Sequence, residues 1–507
     1  MTRSTEVLII GAGPTGLVLA LWLARRGVAV RIVDRSGGPG ETSRAMAVHA
    51  RTLEFYRQLG IADEVVAAGI KVETITFRKG RRVFARGRMG DMGVGLSPFP
   101  FVLSFPQDDH ERLLVRHLER AGVHVERSTE LIDLHDHGTH VTATIQGPGG
   151  RESLDVAYLC GADGAHSTVR RRLGVGFPGG TYAQLFYVAD VDATGDAATG
   201  GLQLGMSDQD FCIVFQIRST GRLRLIGIVP PEHEHQEHLT FEHIRDAVVR
   251  DTGLDVQRVH WLTSYRVHHR VADNFARGRV FLLGDAGHIH SPAGGQGMNT
   301  GVGDAVNLAW KLAQVLQGGA DERLLASYEP ERIAFARTLV ATTDRAFQVL
   351  AGRSWTGALF RSGVMPRWAV VMLRLRPLLR ALFRTVSQIL IRYRDSPISA
   401  GKAGKLRGGD RLPWVAGLDV FAPLHTLDWQ IHVHGDASAA LQRFAAEHNL
   451  ALHVFPWTDP ARAAGLARDA AYLVRPDGHI ALAEPDQDPA RVAEHLASLA
   501  LRPGDRR

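Results

Sequence analysis

Residues 6–35 read EVLIIGAGPTGLVLALWLARRGVAVRIVDR. The apolar run from Val7 to Ile10 predicts a strand, the glycine cluster a tight turn, Pro14 to Arg26 a helix, and Val28 to Val33 a second strand, which is a βαβ opening. Gly11, Gly13 and Gly16 form GxGxxG between strand and helix. The first glycine permits the turn, the second lets backbone approach a pyrophosphate, and the third allows helix to pack closely on strand. Unpaired N–H groups and the positive end of the helix then favour a diphosphate. Asp34 ends the second strand 23 residues after Gly11, where a carboxylate can accept hydrogen bonds from ribose hydroxyls. Arg35 follows it and joins the candidate set. The stretch predicts an adenine dinucleotide site.

A second glycine-rich stretch, GDAGHIHSPAGGQGMN, occupies residues 284–299 directly before a long apolar helix. Pro292 rigidifies the turn and is a candidate for the reaction centre. Gly295 and Gly297, with Gly294, keep the backbone bare, and Met298 and Asn299 offer N–H groups at the helix start. Such a bare backbone suits the close approach of a flat ligand edge. A helix N-terminus aimed there favours negative charge on that ligand.

The whole chain has 507 residues, too many for one ordinary core, so about three domains are expected. Hydrophobic residues make up 45% and charged residues 22%, which are globular values. No apolar run approaches the ~20 residues of a membrane span, so stable membrane insertion is not expected. MTRSTEVLIIGAG lacks the pattern of a secretory signal, and a cytoplasmic location is expected. The net charge is +6, but no Lys/Arg run with interleaved aromatics argues for nucleic acid. Cys160 and Cys212 lie far apart without a CxxC pattern and read as buried structural thiols. His288 and His290 have no acid or Cys at metal-ligand spacing, so no metal is expected.

The pattern predicts helices over about 50–68 and 108–121, the latter capped by Asp108 or Asp109, and strands near 123–126, 139–146 and 156–160. Alternation between about 180 and 270 predicts an inserted antiparallel sheet, with Phe186, Phe211, Phe215 and Leu225 as candidate lining residues and the inward face open. Residues 322–395 are mostly helical. PRWAVVMLRLRPLLRALFRTVSQILIRYR reads as a packed helix with solvated arginines in preference to a membrane-surface helix, because Pro366 and Pro377 interrupt it. The expected division is a Rossmann-like α/β cofactor domain over 1–175 and again over 276–345, an inserted sheet over 176–275, a helical segment over 346–400, and a small α/β sandwich over 401–507.

CGADGAHSTVRRRLG and GRVFLLGDAGHIHSPAGGQGMNTGVGDAVNLAWKL resemble two signatures of the FAD-dependent aromatic hydroxylases, the single-component flavoprotein monooxygenases. The resemblance covers about the first 400 residues. It implies that Asp163, with Gly164, lies near the FAD pyrophosphate and serves nicotinamide use, and that Asp285, after Gly284, binds ribityl or ribose hydroxyls. It also implies cofactor contacts for Arg44 and Gln107. The implied reaction uses NADPH or NADH to reduce FAD, then O2 to form a C4a-hydroperoxide that hydroxylates a phenolic or polycyclic aromatic. Simple phenol hydroxylases carry an Asp where this chain has Met46, so the base is either nearby His49 or unnecessary for an acidic phenol. Tyr265, Arg266 and His268 in SYRVHHRVA are further substrate-side candidates. The tail, through GGDRLPW and YLVRPDGHIAL, resembles a thioredoxin-like domain. It carries no cysteine, which implies a structural role in packing or homodimer contacts.

Rival expectations are a flavin-dependent halogenase, a flavin-dependent reductase, and a non-catalytic redox-sensing flavoprotein. The WxWxIP element of tryptophan halogenases is absent from the sequence.

Overall fold

The computed structural model describes residues 5–40, 45–207, 210–291, 293–351 and 365–502. Strand β1 (Val7–Ile10), helix α1 (Pro14–Arg25) and strand β2 (Val30–Val33) form the expected βαβ unit. A six-stranded sheet grows from it in the order Ala276–Arg277, Val280–Leu282, Tyr158–Gly161, β1, β2, Val125–Glu126. All pairs are parallel except the first, Ala276–Arg277 against Val280–Leu282. Its central strands β1, Tyr158–Gly161 and Val280–Leu282 are buried along their whole length, as expected of a parallel sheet covered on both faces. The fold is therefore Rossmann-like α/β.

Leu159 and Val280 pair in this sheet although more than a hundred residues separate them, so the unit is discontinuous. Much of the intervening chain builds an eight-stranded, mostly antiparallel sheet. Gly179–Thr194 and Asp255–Val271 are its long central strands, followed by Leu223–Ile228, Phe211–Gln216 and Leu202–Met206. Two earlier strands, Thr74–Lys79 and Arg82–Arg88, extend the same sheet, with Thr74–Lys79 parallel to Leu202–Met206. They fall inside the stretch 1–175 that sequence pattern groups with the cofactor unit, because pattern cannot show which distant strand completes an edge.

Local expectations differ in instructive places. The stretch 50–68 is two helices, α2 (Ala50–Gln58) and Ala62–Ala68, broken at Gly60, where φ is +74°. Helix Gln107–Arg120 begins after Pro106 with no side-chain cap, so neither Asp108 nor Asp109 plays that role. Pro377 stands in the first turn of helix Arg376–Val386, where its missing N–H costs nothing.

The last unit is a six-stranded mixed sheet, ordered Leu406–Arg407, Ala400–Ala403, Ile480–Glu484, Ala471–Val474, Gln430–His434, Ala451–Phe455. It joins the body through buried charge. Arg475 donates through both terminal nitrogens to Glu331 of helix Tyr328–Ala351 at 2.7 and 3.0 Å, and also to Asp477. Glu331 additionally accepts from Lys311 (2.8 Å), Asn307 (2.6 Å) and Ser396 (2.6 Å). Burial alone would raise the Glu331 carboxyl, but Arg475 and Lys311 outweigh it and hold it well below the usual range. Burial pushes Lys311 down to about 8, against the pull of Glu331.

Glu331 and Arg475 have no exposed side-chain surface. Substituting Arg475→Met leaves two carboxylates buried without their main cation, so it is expected to cost about 3–5 kcal/mol. The check is the thermal unfolding midpoint, which should fall while an intact fold at low temperature is retained.

Candidate cofactor and substrate site

The carboxyl ends of the parallel strands bring the motifs together. Gly11 has φ +103°, and a Cβ there would lie 2.3 Å from the Ala162 carbonyl oxygen. A Cβ on Gly16 would lie 2.0 Å from the Gly11 carbonyl oxygen, so the third glycine is set by packing within the turn. Gly13 differs: its Cβ would meet nothing within 4 Å, at a helix N-terminus that no side chain caps. Uncapped N–H groups beside open backbone fit a diphosphate.

Asp34 is already engaged by protein. Its Oδ2 accepts from Ala12 N–H at 2.7 Å and its Oδ1 from Ser36 N–H at 2.8 Å, which pins the glycine turn to the end of β2. A carboxylate has about four acceptor positions, so ribose contacts remain open to it. Arg35 is exposed and borders a shallow cavity of about 620 Å³ with Ser36, Ser128 and Gln146. Gln107 donates to Glu111 at 2.8 Å, and Glu111 also accepts from Gly40 N–H. Burial raises the Glu111 carboxyl, partly offset by those hydrogen bonds.

Asp163 acts locally as a cap. It accepts from Ser167 Oγ (2.5 Å), Thr168 N–H (2.6 Å) and Val169 N–H (3.1 Å), organising helix Thr168–Arg172. The residue that links this motif to the next is Arg170, which donates to Ala286 O at 2.7 Å and Ala165 O at 2.8 Å. Asp285 is exposed in the turn Gly284–Ala286. A Cβ on Gly284 or Gly301 would strike Thr15 Oγ1, at 2.7 and 2.2 Å, so that turn, α1 and helix Gly297–Leu316 meet at contact distance.

Helix Gly297–Leu316 starts after Gln296 with no side-chain cap, and Thr300 makes its first bond back to Gln296 O. The N–H groups of Gly297, Met298 and Asn299 precede that bond, which suits an anionic ring edge. The Asn299 side chain, by contrast, is fully occupied. Its Oδ1 accepts from His49 N–H (2.9 Å) and Thr52 Oγ (2.8 Å), and its Nδ2 donates to Ala47 O and Gly295 O, both at 2.9 Å. Gly295 has φ +64°, and a Cβ there would sit 2.8 Å from the Ala47 Cβ. Pro292 and Arg44 lie outside the described residues.

His49 lies against the glycine loop. It is buried, its Nε2 lies 2.8 Å from Gly294 O, and burial pushes its pKa down to about 4. The proton on Nε2 is donated to that carbonyl, so the ring ties α2 to the glycine loop. Nearby, His288 Nε2 lies 2.7 Å from Asp304, which also accepts from Gly284 N–H (2.9 Å) and Arg332 (2.6 Å). Arg170, Asp304 and Arg332 were missed by sequence reading. An acid in the otherwise apolar stretch TGVGDAVNLAW was the available signal for Asp304.

The inserted sheet resolves which face turns inward. Tyr265 pairs in register with Phe186, their rings 6.0 Å apart, and the Phe211 ring lies tilted against Phe186 at 6.3 Å. Leu225 belongs to the opposite face, in a core with Tyr187, Cys212 and Val214, because strand residues alternate. Phe215, two and four residues on from Ile213 and Phe211, shares the Phe211 face. Arg266 and His268 are spent on partners across the strand, Ala183 O and Thr181 Oγ. Sequence reading also missed Arg224, which grips Asp190 with two 2.7 Å bonds and places Nη1 3.5 Å from Met46 Sδ.

With this geometry in hand, comparison with known proteins is direct. The family model described as FAD binding domain matches residues 4–343. The 6-methylpretetramide 4-monooxygenase of Streptomyces rimosus is 37% identical over 407 residues, covering 78% of this chain and 71% of that protein. The flavin-dependent monooxygenase PieE, solved with FAD and substrate, superposes with a TM-score of 0.79 at 25% identity, covering 98% of this chain and 99% of that one. The OxyS anhydrotetracycline hydroxylase from Streptomyces rimosus gives 0.78 at 28% identity, with coverage of 98% and 99%.

His49 and His290 are both held neutral by burial, with pKa values near 4. The folded state therefore binds fewer protons than the unfolded chain between about 6.5 and 4, and stability present above 6.5 is lost as pH falls through that window. Each such group contributes a slope of about 1.4 kcal/mol per pH unit. Thermal melts between pH 7 and 5 should show it, and His49→Phe should flatten the slope.

Proposed function

This chain belongs to the FAD binding domain family of flavin-dependent aromatic monooxygenases, and from that premise we propose that it hydroxylates a phenolic or polycyclic aromatic with NADPH or NADH and O2. The observation that carries the reading is the convergence of an uncapped helix at Gly13, the Asp34 carboxylate and the bare loop at 294–297 on one side of an aromatic-lined sheet. Bound FAD supplies the hydride acceptance and the oxygen activation. The oxygen-transfer route implied by the sequence resemblance is part of this proposal.

The protein's own residues then do four things. The first turn of α1 holds the diphosphate through backbone N–H groups, with Asp34 on the ribose. Gly295, Gly297, Met298 and Asn299 receive the ring edge, and the N-terminus of helix Gly297–Leu316 favours negative charge there. Asp163 orders the loop beside the dinucleotide, and Asp285, exposed in the turn Gly284–Ala286, receives ribityl or ribose hydroxyls. Phe186, Phe211 and Tyr265 exclude water from the aromatic side, which protects a reactive oxygen species from wasteful breakdown.

Proton demand falls differently than in an enzyme with an acid near the phenol. Met46 is apolar, and burial pushes His49 down to about 4, which makes it a weak acceptor for the substrate proton. Arg224, fixed in orientation by Asp190 and beside Met46, places positive charge where an ionised substrate hydroxyl is stabilised. Lowering the phenol's own pKa replaces a dedicated base. GxGxxG occurs once, so NADPH or NADH would meet bound flavin at an accessible edge, and the loop at 294–297 would have to leave room for that approach.

The purified protein should be yellow and release FAD, not FMN, on denaturation. NAD(P)H oxidation should rise about tenfold or more with a true aromatic substrate, a change of only about 1.4 kcal/mol in the barrier. Colourless protein that cannot be reconstituted with FAD would overturn the reading. Arg224→Met should weaken phenolic substrates about tenfold or more, measured by perturbation of the flavin spectrum, with less effect on analogues lacking the hydroxyl.

A further inference from the structure

Helix α2 reads ARTLEFYRQ, with His49 as its N-cap. Spacing of three and four residues puts Arg51, Glu54 and Gln58 on one face, and all three are buried. A polar face buried this deeply is costly unless every group finds a partner. Here the partners come from the C-terminal unit. Arg411 clasps Glu54 with bonds of 2.9 and 2.5 Å, and Arg51 donates to Asp477 O at 2.7 Å. Gln58 donates to Pro476 O at 2.8 Å. Ser97 and Arg51 complete the ring around Glu54, whose carboxyl is held low by Arg411 and Arg51 against the opposing effect of burial.

The other end of the same helix holds the glycine loop. His49 bonds Gly294 O, while His49 N–H and Thr52 Oγ both bond the Asn299 side chain. A nine-residue helix is stiff on this scale, about 13 Å long at 1.5 Å per residue. Displacement at Glu54, midway along α2, is therefore transmitted to His49 and Asn299, whose bonds tolerate only tenths of an ångström.

We propose that the C-terminal unit sets the position of the flavin loop through α2, with Arg411 and Glu54 as positioning residues. The tail thus does more than cover surface: it fixes how far residues 294–299 can move when the ring exposes its edge. This rests on the placement of the flavin against that loop proposed above.

The test compares full-length holoenzyme variants by visible circular dichroism of the bound FAD and by NAD(P)H oxidation without substrate. Arg411→Met should retain FAD yet alter the flavin bands and raise substrate-free oxidation about fivefold, because the loop is released from its resting position. Arg26→Met is the control, since Arg26 also reaches the tail, at Leu427 O and Asp428, but from α1. It should lower the unfolding midpoint and leave the flavin bands unchanged. Gln58→Leu, which strands no charge, is the second variant should Arg411→Met fail to fold, and it should shift the bands in the same direction. Equal band changes in Arg26→Met, or unchanged bands in folded Arg411→Met and Gln58→Leu, would overturn the proposal. Gly295→Ala separates the two levels. If it leaves the flavin bands unmoved, the placement of the flavin fails; if it moves them and the α2 variants do not, only the coupling fails.

Discussion

The structure depends on one steric constraint, the crossing of Gly11, Gly16 and Ala162 without a Cβ between them. A methyl on Gly16 would sit 2.0 Å from the Gly11 carbonyl oxygen, and one on Gly11 would sit 2.3 Å from that of Ala162. Because the backbones touch, α1 lies flat on the sheet with its N-terminus aimed at the crevice, and the loop carrying Asp163 lies beside it. The turn at Gly284 then closes on Thr15, and helix Gly297–Leu316 closes on both at Gly301. Four segments distant in sequence meet because each contributes bare backbone where they cross. That geometry fits a dinucleotide at the strand ends, where such ligands bind in open α/β sheets.

Buried charge organises the next layer. Asp304 joins His288, Gly284 N–H and Arg332, while Arg332 also reaches Thr300 O and Tyr393. Glu331 gathers Lys311 and Arg475, and Glu54 gathers Arg51, Arg411 and Ser97. Apolar replacements of similar shape would pack at least as stably, so these clusters are poorly explained as sources of stability alone. What they provide is register: an ion pair with two-point geometry has one good arrangement, whereas apolar surfaces slide. Each cluster fixes α2 or helix Gly297–Leu316 against its neighbours.

Several residues show how far pattern reaches. GxGxxG with Asp34 is local, so its fold is legible from thirty residues. His49 is legible only as a polar side chain near a helix start; that it is spent on Gly294 O depends on a residue 245 positions away. The alternation of the inserted sheet is equally plain, yet alternation is symmetric, and Leu225 and Phe186 look alike until packing assigns them opposite faces. Arg170 and Asp304 stand inside motifs that were recognised, but each also has a partner beyond its own motif, Ala286 for Arg170 and Arg332 for Asp304.

The sequence by itself determined the Rossmann-like opening, the adenine dinucleotide pattern, the bare loop before helix Gly297–Leu316 and the absence of tail cysteines, because each is a property of residue type at short spacing. Only the tertiary structure decided that Asn299 is saturated by four bonds, that Arg224 stands beside Met46, that strands Thr74–Lys79 and Arg82–Arg88 complete the large sheet, and that the tail grips α2. Those facts are pairings between groups hundreds of residues apart or on alternative faces. Hydrogen bonds and ion pairs act over a few ångströms in space and carry no trace in the order of residues until the chain has brought the partners together.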